Sequence, residues 1–159
     1  MTIVVGLESW NKLWPECRDL MHEHWKEVRE NRAKLPFEVD WETAARLEEA
    51  GLMFCCSARD DETGELVGYL IWFVTASMES KGNLLGTLGP FFVLPSHEGI
   101  GQKLWNTGIK RLREYGAKTA YVHYSSFGRR SGRAKKFFEY VGGKPYEVKY
   151  EIVLGDQNV

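Results

Sequence analysis

The stretch "FFVLPSHEGIGQKLWNTGIKRLREYG", residues 91–116, decides the fold. An apolar run ends at Pro95, a short turn carrying Gly99 and Gly101 follows, and a basic amphipathic stretch opens at Gln102 and stops at Gly116. Glycines at a strand-to-helix turn remove Cβ atoms, so backbone N–H groups can converge on an anion at the positive end of the helix dipole. Gln102 and Lys103 fall in the first turn beside it. A lone G-x-G also simply makes turns, so its weight comes from the order of strand, glycine turn, helix and strand. It is not a P-loop, because G-x-x-x-x-G-K-[ST] is absent. The regular strand–helix alternation of a dinucleotide-binding sheet is missing as well.

Working outward, "TIVVGL" at the start predicts a short strand. Leu13, Cys17, Leu20, Met21, His24 and Val28 fall on one helical face, with Pro15 expected in the first turn and Pro36 ending the segment. Asp40 is placed to cap a second helix, "WETAARLEEA", stopped by Gly51. The strands "LMFCCSAR" and "LVGYLIWFVTA" flank the polar turn "DDETGE". "LLGTLGPFFVL" is a third, interrupted by Gly86, Gly89 and Pro90, which predicts a bulge or a close approach by another backbone. After the opening segment come a strand "KTAYVHY", a helix "GRAKKFFEYVGG" and a last alternating strand "YEVKYEIVL". The order β-α-α-β-β-β-α-β-α-β predicts an α+β fold, a mixed sheet flanked by helices.

The 159 residues form one expected domain, 1–159, with no repeat or linker. Six Trp, seven Tyr and eight Phe predict a well-filled core. Cys17, Cys55 and Cys56 have neither CxxC nor zinc spacing, so they read as reduced, buried thiols. With neither a membrane-length apolar run nor a secretory signal, the expected location is cytoplasmic. Net charge is −1, unevenly spread: residues 99–150 carry twelve Lys/Arg against three Asp/Glu, or +9, leaving −10 for the remainder. A basic C-terminal half points to an anionic ligand there.

These features together resemble the GNAT family of acyl-CoA-dependent N-acyltransferases, over Thr2 to Leu154. Beside the bulged fourth strand and its G-x-G turn, "SGRAKKFFEYVGGKP" is similar to the family's second signature at Ala134, Phe137, Phe138, Glu139 and Gly142. The layout is most similar to acetyltransferases of bacteriophage and bacterial genomes. The resemblance implies a mostly antiparallel mixed sheet of six to seven strands with about four helices, splayed between strands four and five. It implies acetyl-CoA as cosubstrate and no metal. Phe92, Val93 and Leu94 would line the pantetheine arm, paired like an added strand. His97, Glu98, Gly99, Ile100, Gly101, Gln102 and Lys103 would hold the pyrophosphate. Arg130, Ser131 and Arg133 would lie near the 3′-phosphate. The chain departs from the family pattern at Ser96, where Arg or Gln is usual, in a shorter Pro95–Gly99 loop, and at Phe138, where many members keep a tyrosine.

An amine must lose a proton before attacking a thioester, and the departing thiolate leaves better if protonated. Tyr124 as donor and His123 as acceptor through water are the catalytic candidates, at the end of "TAYVHYSS". The resemblance implies that the first two helices border the acceptor, which makes Trp25, Glu27 and Trp41 candidates for the acceptor-binding wall; the acidic character of these helices would suit a cationic amine. His22 and His24 face different ways on a helix, and H-E-x-x-H is absent, so no metal site is expected. The reading is an N-acetyltransferase acting on a primary amine of a protein or small molecule, with no membrane partner, and with a homodimer open. Rival readings are a non-catalytic module of the same fold and a nucleic-acid-directed modifier working through the basic half.

Overall fold

The computed structural model describes residues 2–29, 38–97, 99–124, 131–150, 152 and 154, with the backbone alone at 23, 25–29 and 131. Strand β1 (Ile3–Glu8) leads to helices α1 (Trp10–Arg29) and α2 (Trp41–Glu49), then to β2 (Met53–Asp60), β3 (Leu66–Ala76) and β4 (Leu84–Val93). A single 3-10 turn at Pro95–His97 precedes α3 (Ile100–Tyr115), followed by β5 (Ala117–Tyr121) and α4 (Ser131–Tyr140). The strands form one sheet in the order β1-β2-β3-β4-β5. The first four are antiparallel, and β5 joins β4 in parallel, which requires the α3 crossover.

The α+β class and the four helices agree with the sequence reading. The sheet, however, has five strands among the described residues rather than six to seven. The missing one is "YEVKYEIVL": its described residues form no ladder, although its alternation is that of a strand. Alternation predicts a side-chain pattern, but a strand also needs an edge to bond to. Helix α1 starts at Trp10, earlier than expected, so Pro15 lies in the second turn rather than the first. There it withholds the N–H that the Asn11 carbonyl would take.

Sheet alternation sends successive side chains to opposite faces, and two cores result. On one face, Trp10, Leu13, Cys17 and Met21 of α1 pack on Met53, Cys55, Tyr69, Ile71 and Phe92. On the other, Leu104 and Leu112 of α3 and Phe138 of α4 pack on Phe54, Cys56, Leu70, Trp72, Val74 and Leu88. Cys55 and Cys56, adjacent in sequence, thus enter different cores, and all three thiols are free and buried. Burial pushes the Cys17 and Cys56 thiols up to about 12.

Local caps follow the sequence. Asp40 accepts from the Thr43 N–H at 2.9 Å at the start of α2. The Glu48 carboxylate of α2 accepts the first N–H of α1, from Trp10, at 2.9 Å, which fixes the two helices together. Arg59 of β2 donates to Glu8 at 3.2 Å and to Glu16 at 2.6 Å, tying β1, α1 and β2. No helix among the described residues is long and apolar enough to cross a membrane.

Candidate active site

The β4–β5 ladder runs from Leu84–Ala117 to Thr87–Tyr121 and stops. Strand β4 continues to Val93, so Leu88–Val93 lies beyond the reach of β5. This is the splay expected between the fourth and fifth strands. The register against β3 shifts between Leu70 and Trp72, opposite Gly89 and Pro90, as glycine and proline within the strand predicted. The reason is steric. A Cβ at Gly89 would sit 2.7 Å from the Phe73 ring and 3.1 Å from the Ile71 carbonyl oxygen.

Within the splayed half, Phe92 is buried on the α1 face while Phe91 and Val93 pack toward the α3 face. The Phe92 side chain therefore belongs to the core rather than to the open surface of the splay. Leu94 N–H donates to the Val67 carbonyl at 2.9 Å, carrying the β3–β4 pairing one residue past the strand. His97 N–H donates to the Leu94 carbonyl at 3.0 Å, and the Ser96 hydroxyl and His97 Nδ1 lie 2.9 Å apart.

Helix α3 starts at Ile100, two residues before the expected Gln102, because Gly99 takes the left-handed conformation with φ +90° and serves as the N-cap. Among the described residues no side chain caps it. The N–H groups of its first turn stand at the positive end of a 16-residue helix. Ile100, Leu104, Gly108 and Leu112 form the buried face. Gln102 donates to Asn106 Oδ1 at 3.0 Å, and Lys103 is exposed beside the turn. A Cβ at Gly101 would lie 3.5 Å from Phe91 and 3.9 Å from a Val93 methyl. Position 101 thus points at the end of β4.

Helix α4 is held to this region by aromatic contacts. Phe137 meets Phe91 of β4 at 5.8 Å and Trp105 of α3 at 5.7 Å between ring centroids. Phe138, at the position of the family tyrosine, is 8% exposed and packs on Trp105. It is core, and the exposed Tyr140 is not a substitute for it. Arg133 lies exposed on α4.

His123 and Tyr124 lie past the end of β5, on the stretch leaving the ladder; both are exposed, Tyr124 by 43%. They are therefore not alternate residues of a strand, as "KTAYVHY" predicted. Trp41 opens α2, is 48% exposed, and lines an open surface hollow with Glu38, Val39, Asp40 and Glu42. Its carbonyl accepts the indole N–H of Trp10 at 2.9 Å. Glu98, Arg130 and the side chains of Trp25, Glu27 and Ser131 lie outside the described residues. Among the described residues no grouping of His, Cys, Asp and Glu suits a metal ion.

Sequence reasoning passed over one residue, the α1 histidine His24. Its ring lies 5.4 Å from that of Phe92, on the splayed part of β4. Helical periodicity put it on the inward face of α1 but gave no sign of which strand that face would meet.

Charge is divided by the sheet. Residues 38–49 on the α1–α2 side hold five carboxylates against Arg46, whereas α3 and α4 hold seven Lys/Arg against Glu114 and Glu139. The face carrying the N-terminus of α3 is thus the basic one.

No curated protein matches the sequence. Among solved structures, a ribosomal-protein-alanine N-acetyltransferase from Brucella melitensis biovar Abortus 2308 superposes with a TM-score of 0.72 at 18% identity, over 97% of this chain and 100% of that one. An aminoglycoside acetyltransferase from an uncultured soil metagenomic sample gives 0.73 at 16% identity, over 96% of each chain. Glucosamine-6-phosphate N-acetyltransferase from Arabidopsis thaliana gives 0.71 at 12% identity, over 97% and 99%. At these identities the likeness concerns the fold. The family match is direct: residues 14–139 fit the Acetyltransferase (GNAT) family, spanning both the splayed strand with its glycine turn and α4. On that match and this architecture, the chain belongs to the GNAT acetyltransferase family.

Proposed function

We propose that this protein is an N-acetyltransferase that moves acetyl from acetyl-CoA to a primary amine of a protein or small molecule. The observation that carries the reading is the departure of β4 from β5 after Thr87, with the strand then running, through a glycine turn, into the N-terminus of α3, which no side chain among the described residues caps. An extended amide-bearing arm fits beside such a strand, and phosphates fit the N–H groups of the α3 turn. The neighbouring structures named above are, by their names, acetyltransferases of amine-bearing molecules, which agrees with this choice.

In this reading Gly99, Ile100, Gly101 and Gln102 offer backbone N–H groups to the pyrophosphate, with Lys103 and His97 beside them. Arg133, with Arg130 and Ser131, serves the 3′-phosphate. Phe92, Val93 and Leu94 line the pantetheine arm. When bound, acetyl-CoA supplies the acetyl group as a thioester. Tyr124 supplies a proton where thiolate charge develops, and His123 accepts one from the amine through water. Trp41, with Trp25 and Glu27, borders the acceptor, and the carboxylates of residues 38–49 favour a cationic one. Three reduced, buried thiols agree with a cytoplasmic protein.

The test is calorimetric titration with acetyl-CoA and free CoA, on the wild type and on Gly101→Trp. The wild type is expected to bind at micromolar concentration and the variant to lose at least about a hundredfold, since an indole there fills the space against Phe91 and Val93. A thermal melt of the variant separates lost binding from lost fold. A wild type that binds neither ligand at millimolar concentration would replace the enzyme with a non-catalytic module.

A further inference from the structure

Helices α1 and α2 cover only part of their side of the sheet. The core there takes Met53, Cys55, Leu66, Tyr69 and Ile71 from β2 and β3, but from β4 its one fully buried member is Phe92. Nearer the start of β4 the same side is open. Gly86 faces α3, since a Cβ there would lie 2.7 Å from Leu112. Thr87 therefore points the other way, beside Phe73 across the β3–β4 ladder. Tyr121 is the parallel partner of Thr87 and shares its side, while the next residue, Val122, packs on the α3 core. Thr87 and Tyr121 are half-buried and belong to neither core.

The Thr87–Tyr121 pair is the last rung before β4 leaves β5, so the Tyr121 ring stands at the mouth of the splay. Against it lies Tyr146, which is 72% exposed, with ring centroids 5.2 Å apart and planes inclined at 38°. Among the described residues no Lys or Arg lies over either ring; the Arg111 guanidinium is over Tyr115 instead. The surroundings of the pair are negative. Partial burial first, then Tyr146, then the Glu79 and Glu147 carboxylates push the Tyr121 hydroxyl up from its ordinary value. Glu79 comes from the β3–β4 turn and Glu147 from the segment after α4, so two charges converge from separate parts of the chain. Residues 38–49 add five carboxylates on the same side of the sheet.

Aromatic faces in a negative setting attract ammonium groups more than uncharged groups of the same shape. An amine must be uncharged when it attacks a thioester, so a place for positive charge serves a different group of the acceptor. From Thr87 the open stretch Leu88–Val93 extends up to about 20 Å along the strand. The two nitrogens of a diamine fit within that span.

We propose that Tyr121 and Tyr146, with Glu79 and Glu147, form a subsite that holds a second positive charge of the acceptor. The acceptor class is accordingly a diamine or larger polycation rather than a monoamine. The role of the subsite rests on the acetyl-transfer reading, whereas its affinity for cations does not.

The first test is an NMR titration of the full chain, without CoA, using choline and its uncharged isostere 3,3-dimethyl-1-butanol. Choline is expected to bind at millimolar concentration, with its methyl protons shifted upfield by the rings, and the alcohol about tenfold more weakly. Tyr146→Leu, at an exposed position, should keep the wild-type melting curve and lose both the shift and the preference. Equal binding of the two probes, or choline binding indifferent to Tyr146→Leu, overturns the subsite. The second test adds acetyl-CoA and compares 1,5-diaminopentane with pentylamine. The diamine is expected to show a KM about tenfold lower, and Tyr146→Leu to raise that KM to the monoamine's with kcat unchanged. Equal KM values in the wild type overturn the assignment to the acceptor. Choline binding in a chain that does not bind acetyl-CoA leaves the cation subsite standing and overturns its acceptor role together with the enzymatic reading.

Discussion

Strands β1 to β3 are laddered along nearly their whole lengths, whereas β4 and β5 share only Leu84–Thr87 with Ala117–Tyr121. The first region is closed: seven of the eight residues of β2 are buried, as are β3 positions Leu66 to Trp72. The second is open, with Lys118, Thr119 and Ala120 exposed and β4 running past its neighbour. The contrast separates two tasks. Stability is concentrated where both faces of the sheet are covered, and the proposed binding site falls where the ladder stops.

Substitutions in the closed region should act on stability, and those in the open region on ligand or turnover. The largest effect is expected from Trp72→Ala. Trp72 is fully buried, meets Trp105 at 5.6 Å, and lies so close to Gly108 that any side chain there would collide with its indole. The loss should be about 3–5 kcal/mol in urea denaturation. A loss below about 1 kcal/mol would mean that the α3 interface is loosely packed.

Next comes Arg59→Ala, which leaves Glu8 with a side chain only 6% exposed and without its main partner. The expected cost is about 2–4 kcal/mol. A related effect should appear with pH. Burial would raise the Glu8 carboxyl, but hydrogen bonds from Ser57 and Arg59, with the Arg59 charge, outweigh it and hold the group below its usual value. A depressed carboxyl contributes stability above its unfolded-state value and loses it as the pH falls through the folded one. Urea midpoints from pH 7 down to pH 3 should therefore decline, and more gently in Glu8→Gln.

The smallest change in stability is expected from Tyr124→Phe in the open region, where the side chain is 43% exposed. Stability should move by less than about 0.5 kcal/mol, while acetyl transfer falls by about a hundredfold if the hydroxyl supplies the proton. A variant of unchanged rate would remove Tyr124 from the chemistry and direct attention to His24, whose ring lies beside Phe92.

Much of the architecture was legible because it depends on near neighbours in the chain. Asp40 caps α2, Gly116 ends α3 in a left-handed conformation, and Gly89 with Pro90 marks the bulge of β4. Each is a local steric or hydrogen-bonding requirement that the residue type states directly. The start of α1 was less legible, because its first N–H is capped by Glu48 from another helix. Part of the site lay in the same category. The glycine turn announced itself, but the reach of His24 to Phe92 and the burial of Phe138 came from packing among α1, α3, α4 and the sheet.

By itself the sequence determined the order of elements from β1 to α4, the cap of α2, the stop of α3, the interruption of the fourth strand and the basic character of the half that follows it. These are set by φ preferences, side-chain periodicity and charge, all of which act within a few residues. Only the tertiary structure decided where the β4–β5 ladder stops, which core takes each cysteine, and that residues 146–150 lie without a ladder. Each of these depends on which surfaces meet across long sequence separations. An alternating segment carries the side chains of a strand wherever it lies, but its N–H and C=O groups need an edge to complete it.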